Sequence, residues 1–142
     1  MNCSGRLVGG CIDTLMHLAG SPHGNVPGFV RAHRATGTLL YLENSGLSPT
    51  DLVRALHGLR WAGWLDGIHG LLFGRSAAPD SIDAHELRSA EALRSSLAGV
   101  TCPVLWDVDI GHRPPQMVLF NGALAQVQWT AAHGGGIEQR LV

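Results

Sequence analysis

The chain has 142 residues, a hydrophobic content of 45% and a formal net charge of −1. This length and apolar content are enough for one domain with a single core, so residues 1–142 are treated as one unit. The 10 basic and 11 acidic residues are scattered along the chain, which argues against a surface for nucleic acid or for anionic lipid.

The cysteines and the amino terminus bear on the cellular compartment of the protein. Cys3, Cys11 and Cys102 stand at wide spacings, with no C-x-x-C pair that would indicate zinc or a redox couple. This pattern favours a reducing environment. Residues 1–10 do not resemble a signal peptide, and no segment reaches about 18 consecutive apolar residues. We therefore expect a cytoplasmic protein with no membrane partner.

The first half of the chain contains signals for two helices. A weak signal predicts a helix from residue 10 to about residue 18, followed by a Gly/Pro/His-rich loop at residues 22–34. A strong signal begins at Ser48, a good N-cap, and continues with Pro49 at the first helical position. Leucines then repeat at helical spacing at positions 52, 56 and 59, and this helix should end at Gly63.

The second half contains one helical signal. Asp83 and Glu86 have the spacing of a capping box, and Gly99 is a suitable terminator. Four apolar residues between them should share one buried face: Leu87, Ala90, Leu93 and Leu97.

Short apolar runs alternate with these helices. The runs at residues 38–42, 70–73 and 103–106 lack strict polar alternation, which is typical of buried parallel strands joined by helical crossovers. Near the end, residues 117–120 and 123–129 flank Asn121-Gly122, a dipeptide suited to a tight hairpin turn. We predict a single α/β domain. Its mixed, mainly parallel sheet is flanked by helices and ends in a C-terminal β-hairpin.

Polar residues follow each of the three parallel strands. Glu43 follows the first strand, Arg75 the second and His112 the third. Ligands gather at the carboxyl ends of strands in open α/β sheets, so these residues should share one rim. A carboxylate that orients a histidine ring is part of an acyl-transfer triad, and an arginine nearby could hold an anion. The alternative roles are a helix cap for Glu43 and a structural ion pair for Arg75.

Other sites are not supported by the residue spacing. His85-Glu86 begins like an H-E-x-x-H zinc motif, but residue 89 is Ser. The remaining histidines have no metal-ligand spacing, so no metal is expected. Ser45 lacks the first glycine of a G-x-S-x-G nucleophile elbow. A further hypothesis is that the protein is a small enzyme that uses Cys11 as its nucleophile. Cys11 would lie at a helix amino terminus, where the helix dipole lowers the pKa of a thiol.

Four segments in order resemble the C-terminal domain of the family of LD-carboxypeptidases and microcin-immunity peptidases. They are GRLVGG at 5–10, LYLENS at 40–45, GLLFGR at 70–75, and PVL at 103–105 followed by IGHRPP at 110–115. The resemblance extends over nearly the whole chain and implies a fold of the swivelling β/β/α type. The second and third segments look closer to the microcin-immunity branch than to the murein branch. Many relatives have Asn where this sequence has Cys11.

The resemblance implies a Ser-Glu-His triad divided between two domains. Glu43 would match the catalytic glutamate, which orients the ring, and His112 the catalytic histidine, which acts as general base and then general acid. From their positions on the same rim, we also predict that Arg75 and Asn44 bind substrate. The serine and the oxyanion-hole amides would belong to an N-terminal nucleophile domain outside this sequence, so the isolated chain should be inactive.

The resemblance also implies partners and substrates. Family members cut murein tetrapeptides before a terminal D-alanine, or cleave aminoacyl-nucleotide antibiotics of the microcin C type. They need no metal or organic cofactor, and they are commonly homodimers. The alternative from another class is a non-catalytic binding or scaffold module that retains the fold.

Overall fold

The computed structural model describes residues 1–80, 82–83 and 85–141. Six strands form one sheet: β1 Asn2–Cys11, β2 Thr38–Glu43, β3 Gly70–Gly74, β4 Val104–Val108, β5 Leu124–Thr130 and β6 Gly134–Arg140. Four α-helices connect or flank them: α1 Ile12–Leu15, α2 Val26–Ala32, α3 Pro49–Trp61 and α4 Ser89–Ser96. A 3₁₀ turn at Pro22–Gly24 precedes α2.

The sheet confirms the predicted fold class. Its strand order is β4-β3-β2-β1-β5-β6, in which β1 to β4 are parallel and β5 and β6 are antiparallel additions. The parallel strands β2 and β3 are almost entirely buried, as expected from their continuous apolar runs. A parallel sheet brings the carboxyl ends of its strands to one edge.

The first strand was not expected from the sequence. The helix predicted from residue 10 to about residue 18 is present but shorter, because β1 extends to Cys11 and α1 is a single turn at Ile12–Leu15. β1 lies between β2 and β5, where Leu7 is fully buried. A Cβ on Gly9 would lie 1.8 Å from the carbonyl oxygen of Tyr41. Glycine at this position therefore allows β1 to pack closely against β2.

Helix α3 is confirmed, whereas helix α2 lies in a segment that was predicted to be a loop. Ser48 Oγ accepts a hydrogen bond from Asp51 N at 3.2 Å, and all three predicted leucines are buried. Residues 22–34, predicted as a loop, contain α2. Asn25 caps this helix by accepting from Gly28 N at 2.9 Å. An N-cap asparagine followed by proline at the second helical position was the available signal.

Helix α4 begins later than predicted. The predicted capping box at Asp83 and Glu86 does not start it, since its first residue is Ser89. Its free amides are satisfied locally, because Asp80 Oδ1 accepts from Ser89 N at 2.8 Å and Glu91 Oε2 accepts from Arg88 N at 3.1 Å. The buried face therefore includes Ala92, Leu93, Ser96 and Leu97, whereas Leu87 and Ala90 are exposed.

The C-terminal hairpin exists but uses different residues. β5 pairs with β6 through a turn at residues 131–133, and the triple glycine at residues 134–136 lies in β6. Residues 117–120 form no strand. Asn121 does not close a hairpin, because its side chain exchanges hydrogen bonds with the backbone of Gly9 at 3.0 and 3.3 Å. The turn at Asn121-Gly122 therefore joins the preceding loop to β1.

Two apolar clusters pack on opposite faces of the sheet. The larger cluster lies between the sheet and the helices and contains Leu40, Leu42, Phe73 and the leucines of α3. The smaller cluster contains Leu39, Leu72, Ile110 and Val127. Alternate residues of β2 thus pack into the two clusters. This packing sets which face of the sheet each side chain of β2 occupies, and it holds the end of the strand, where Glu43 lies, in place.

Among the residues that the structure describes, no helix has the length and apolar content needed to cross a membrane.

Candidate functional site

The carboxyl ends of the parallel strands bring the predicted residues to one rim. Glu43 is the last residue of β2, and in the register of the sheet it lies beside Cys11, the last residue of β1. Arg75 follows β3, and His112 lies in the loop after β4. Four consecutive strands therefore deliver one carboxylate, one thiol, one guanidinium and one imidazole to the same edge.

Glu43 and His112 form a direct pair. His112 Nδ1 lies 3.0 Å from both carboxylate oxygens of Glu43. The side chain of Glu43 is only 6% exposed, whereas that of His112 is 56% exposed. The hydrogen bond that the carboxylate accepts from Nδ1, together with the negative charge of Glu43, raises the pKa of His112. A carboxylate at Nδ1 favours the tautomer that carries its proton there, which leaves Nε2 as a hydrogen-bond acceptor.

Glycine allows the close contact between the two segments. Gly111 has φ of 98°, a left-handed conformation, and a Cβ at this position would lie 2.6 Å from Glu43 Oε2. A Cβ on Gly74 would likewise lie 2.6 Å from the carbonyl oxygen of Ile110. Both glycines therefore let the loop after β4 approach the end of β2. The sequence alone does not indicate the close packing that demands glycine at these positions.

Arg75 organises the loop that carries His112. Its guanidinium forms an ion pair with Asp109 Oδ1 at 2.7 Å and donates to the carbonyl oxygens of Arg113 at 3.2 Å and Pro115 at 2.5 Å. The Arg75 side chain is 20% exposed. These contacts join both ends of the loop around His112 to the end of β3.

Asn44 is buried and fully engaged. Its amide oxygen accepts from Leu47 N at 2.9 Å, and its amide nitrogen donates to the Leu47 carbonyl at 2.9 Å and to Ser76 Oγ at 3.1 Å. These bonds close the turn that follows Glu43 and connect it to the loop after β3.

Asp13 is a residue of the rim that the sequence reasoning missed. Its carboxylate accepts from Gly46 N at 2.7 Å and from Ser45 N at 3.0 Å. Burial raises the pKa of Asp13, but these backbone hydrogen bonds outweigh it, so the pKa is lowered overall. Its negative charge also raises the pKa of His112. An acid in the first turn after β1 was the only signal in the sequence.

Cys11 lies in this rim but has no properties of an activated nucleophile. Its thiol donates to Asp13 Oδ2 at 3.4 Å. Burial and a hydrogen bond with Glu43 raise the pKa of Cys11 to about 11. A nucleophilic cysteine needs a lowered pKa, so these contacts do not support the interpretation of Cys11 as the nucleophile of a small thiol enzyme.

A cleft of about 520 Å³ adjoins the rim. It lies between the loop after β3, the start of α4 and β4, and its lining includes Arg75, Trp106 and Arg113. The lining also includes Asp80 and Asp107, so the cleft combines an aromatic side chain with groups of both charges, which suits a small polar ligand.

Comparison with known proteins agrees with this architecture. The sequence profile of the LD-carboxypeptidase C-terminal domain matches residues 4–127. A protein of Streptomyces coelicolor, whose name provisionally assigns it carboxypeptidase activity, is 35% identical over 108 residues, covering 76% of this chain and 31% of the relative.

Solved structures share the fold at lower identity. Muramoyltetrapeptide carboxypeptidase from Oxalobacter formigenes superposes with a TM-score of 0.74 at 24% identity, over 96% of this chain and 45% of that protein. The microcin C7 self-immunity protein MccF gives a TM-score of 0.74 at 21% identity, over 99% of this chain and 39% of that protein. This chain thus spans less than half the length of these proteins. It belongs to the family of LD-carboxypeptidase C-terminal domains.

Proposed function

We propose that this domain supplies the glutamate and histidine of a Ser-Glu-His triad in a serine-type carboxypeptidase. The observation that carries the proposal is the pair formed by His112 Nδ1 and the Glu43 carboxylate at 3.0 Å. One member of the pair is buried and the other is more than half exposed. This is the arrangement of a carboxylate that orients a general base toward a separate nucleophile.

Each residue has a defined role in this proposal. Glu43 keeps the proton of the neutral ring on Nδ1 and stabilises the imidazolium that forms during the reaction. His112 Nε2 accepts the proton of the serine hydroxyl and later donates it to the leaving amine. No hydrogen bond to Nε2 is found within the described part of the chain, so this nitrogen is free to meet a hydroxyl from another domain.

The serine and the oxyanion-hole amides would come from an N-terminal domain. The Streptomyces coelicolor relative, of which this chain covers 31%, is long enough to hold such a domain. Without those groups we expect the isolated chain to be inactive, since they contribute factors on the order of 10² to 10⁶ in rate.

We propose that Arg75 and Asn44 act mainly as positioning residues. Arg75 holds the loop of His112 through three contacts, and the amide of Asn44 is satisfied by protein groups. A direct contact of either residue with substrate stays a prediction.

The substrate would be a small peptide or an aminoacyl-nucleotide whose amide bond is hydrolysed. The two structural relatives represent these classes by name, one as a muramoyltetrapeptide carboxypeptidase and the other as a microcin C7 immunity protein. The cleft beside Arg75 and Arg113 is the part of this domain that would contact such a substrate.

The test is an assay of the full-length protein against a D-alanine-ended tetrapeptide and an aminoacyl sulfamoyl nucleotide. Glu43→Gln, which preserves the shape of the side chain but favours the wrong ring tautomer, should lower kcat by about 10⁴-fold. His112→Ala should lower kcat by a similar or larger factor.

Matched controls are available on β6 and in the turn before it. Glu138→Gln and His133→Ala change the same residue types at exposed positions away from the rim, and both should retain the wild-type rate. Turnover within about tenfold of wild type in Glu43→Gln and His112→Ala would refute the triad.

A further inference from the structure

Three side chains of different chemistry converge at the rim in a way that the triad does not require. One ligand atom each from Cys11, Glu43 and His112 lies within 4.8 Å of the other two. These residues come from the end of β1, the end of β2 and the loop after β4. A thiol, a carboxylate and an imidazole are all among the ligands that Zn²⁺ prefers in proteins.

The spacing of these atoms suits a tetrahedral ion after small side-chain rotations. Bond lengths of about 2.0–2.3 Å to Zn²⁺ place neighbouring ligand atoms roughly 3.3–3.8 Å apart. His112 Nδ1 and the Glu43 oxygens are already 3.0 Å apart, and no pair of the three ligand atoms exceeds 4.8 Å. Because the His112 side chain is 56% exposed, an ion can enter and keep water as its fourth ligand.

The charges around the cluster also favour a cation. The Glu43 carboxylate is buried, and Asp13 Oδ2 lies 3.4 Å from Cys11 Sγ. The rim also holds two arginines: Arg75 pairs with Asp109, and Arg113 directly follows His112 in the chain. A divalent ion would therefore enter a region where two carboxylates are close together.

We propose that Cys11, Glu43 and His112 form a Zn²⁺ site, and that its occupation switches off the triad. The binding half of this proposal stands on the cluster alone, whereas the inhibitory half rests on the proposed function.

Zinc would inhibit by changing the tautomer of His112. Cys11 loses its thiol proton to solvent as the S–Zn bond forms. Nδ1 must use its lone pair for the metal, so the proton of the neutral ring moves through solvent to Nε2. Nε2 is then a donor and cannot accept the proton of a serine hydroxyl. The negative charge of Glu43 is also engaged by the ion and no longer stabilises an imidazolium.

Cobalt binding to this chain tests the site without any activity measurement. When Co²⁺ is titrated into the reduced protein, a thiolate-to-cobalt charge-transfer band should appear in the near ultraviolet and saturate at one equivalent of Co²⁺. Added Zn²⁺ should displace the cobalt and remove the band. Cys11→Ala should abolish the band. His112→Ala should weaken Co²⁺ binding by at least about 100-fold, since even the loss of a residue that only supports a ligand costs 10- to 100-fold.

A variant that lacks the other two thiols is the matched control. Cys3→Ser combined with Cys102→Ser removes both remaining cysteines, which are free in the structure, and should keep the band. The site is refuted if wild-type protein gives no stoichiometric band, or if the band survives Cys11→Ala. It is equally refuted if the band disappears in the control variant while circular dichroism shows that variant to be folded.

Inhibition is then measured on the full-length protein. At a free Zn²⁺ concentration of about 100 times Kd, simple mass action leaves about 1% of the wild-type rate, and chelation should restore it. In Cys11→Ala the ratio of rates with and without Zn²⁺ should stay near one. Equal inhibition of both proteins would overturn the switch. If His112→Ala kept full activity, the triad would fail while the cobalt result could still stand.

Discussion

The two halves of the sheet differ in how their strands are used. Strands β1 to β4 are parallel, and their carboxyl ends carry Cys11, Glu43, Arg75 and His112 to one rim. The hairpin of β5 and β6 is antiparallel, and most residues of β6 are exposed. Parallel strands need long crossovers, which place loops together at one edge, whereas a hairpin returns directly. The candidate functional residues of this domain therefore lie in the parallel half of the sheet, and the hairpin only extends the sheet.

The largest expected difference between the halves is in stability. Leu40 in β2 is fully buried between the sheet and the helices, so Leu40→Ala should lower the free energy of unfolding by about 2–5 kcal/mol. Ile137 in β6 is half-buried, and Ile137→Ala should cost no more than about 1.5 kcal/mol because less apolar surface is lost. Urea unfolding followed by circular dichroism measures both. Equal losses would show that the hairpin is as central to the core as the parallel strands.

A second difference concerns two glycines with left-handed backbone. Gly111→Ala should misplace His112, since its Cβ would lie 2.6 Å from Glu43 Oε2. We expect the full-length enzyme to lose about 100-fold in kcat/KM, the usual effect of misplacing a catalytic group by about 1 Å. Gly122→Ala, before β5, meets no heavy atom within 4 Å and should cost only the backbone strain of about 1–2 kcal/mol. If both substitutions reduced the rate equally, close packing at the rim would not matter.

The smallest expected effect is a shift in the titration of His112. Its pKa, followed by NMR of the ring protons in buffer with a chelator, should lie above the ordinary value of about 6.5 and should fall in Glu43→Gln. The pair stabilises the folded state fully below the ordinary histidine pKa, and this contribution is lost as the pH rises through the raised value. Because His112 must be neutral to act as a base, the acid limb of the kcat/KM profile should lie at higher pH than it would for a histidine with an ordinary pKa. Glu138→Gln should leave the His112 curve unchanged.

Much of the fold follows from local patterns. The apolar runs of β2, β3 and β4 and the capped helix α3 lie where the sequence predicts them. The misplaced elements share a cause. β1 is rich in glycine and was not recognised as a strand, because close packing against β2 rather than apolar content makes it one. Asn121 resembled a hairpin turn, but its side chain binds the backbone of Gly9, a contact across 112 residues of sequence.

The sequence by itself determined that parallel strands would end in Glu43, Arg75 and a loop with His112, because alternating strands and helices allow few topologies. Only the tertiary structure decided that His112 Nδ1 lies 3.0 Å from Glu43, that Arg75 holds the loop, and that Asp13 and Cys11 join the rim. The register between β1 and β2 places Cys11 beside Glu43. That register depends on packing between distant segments, which no local spacing encodes.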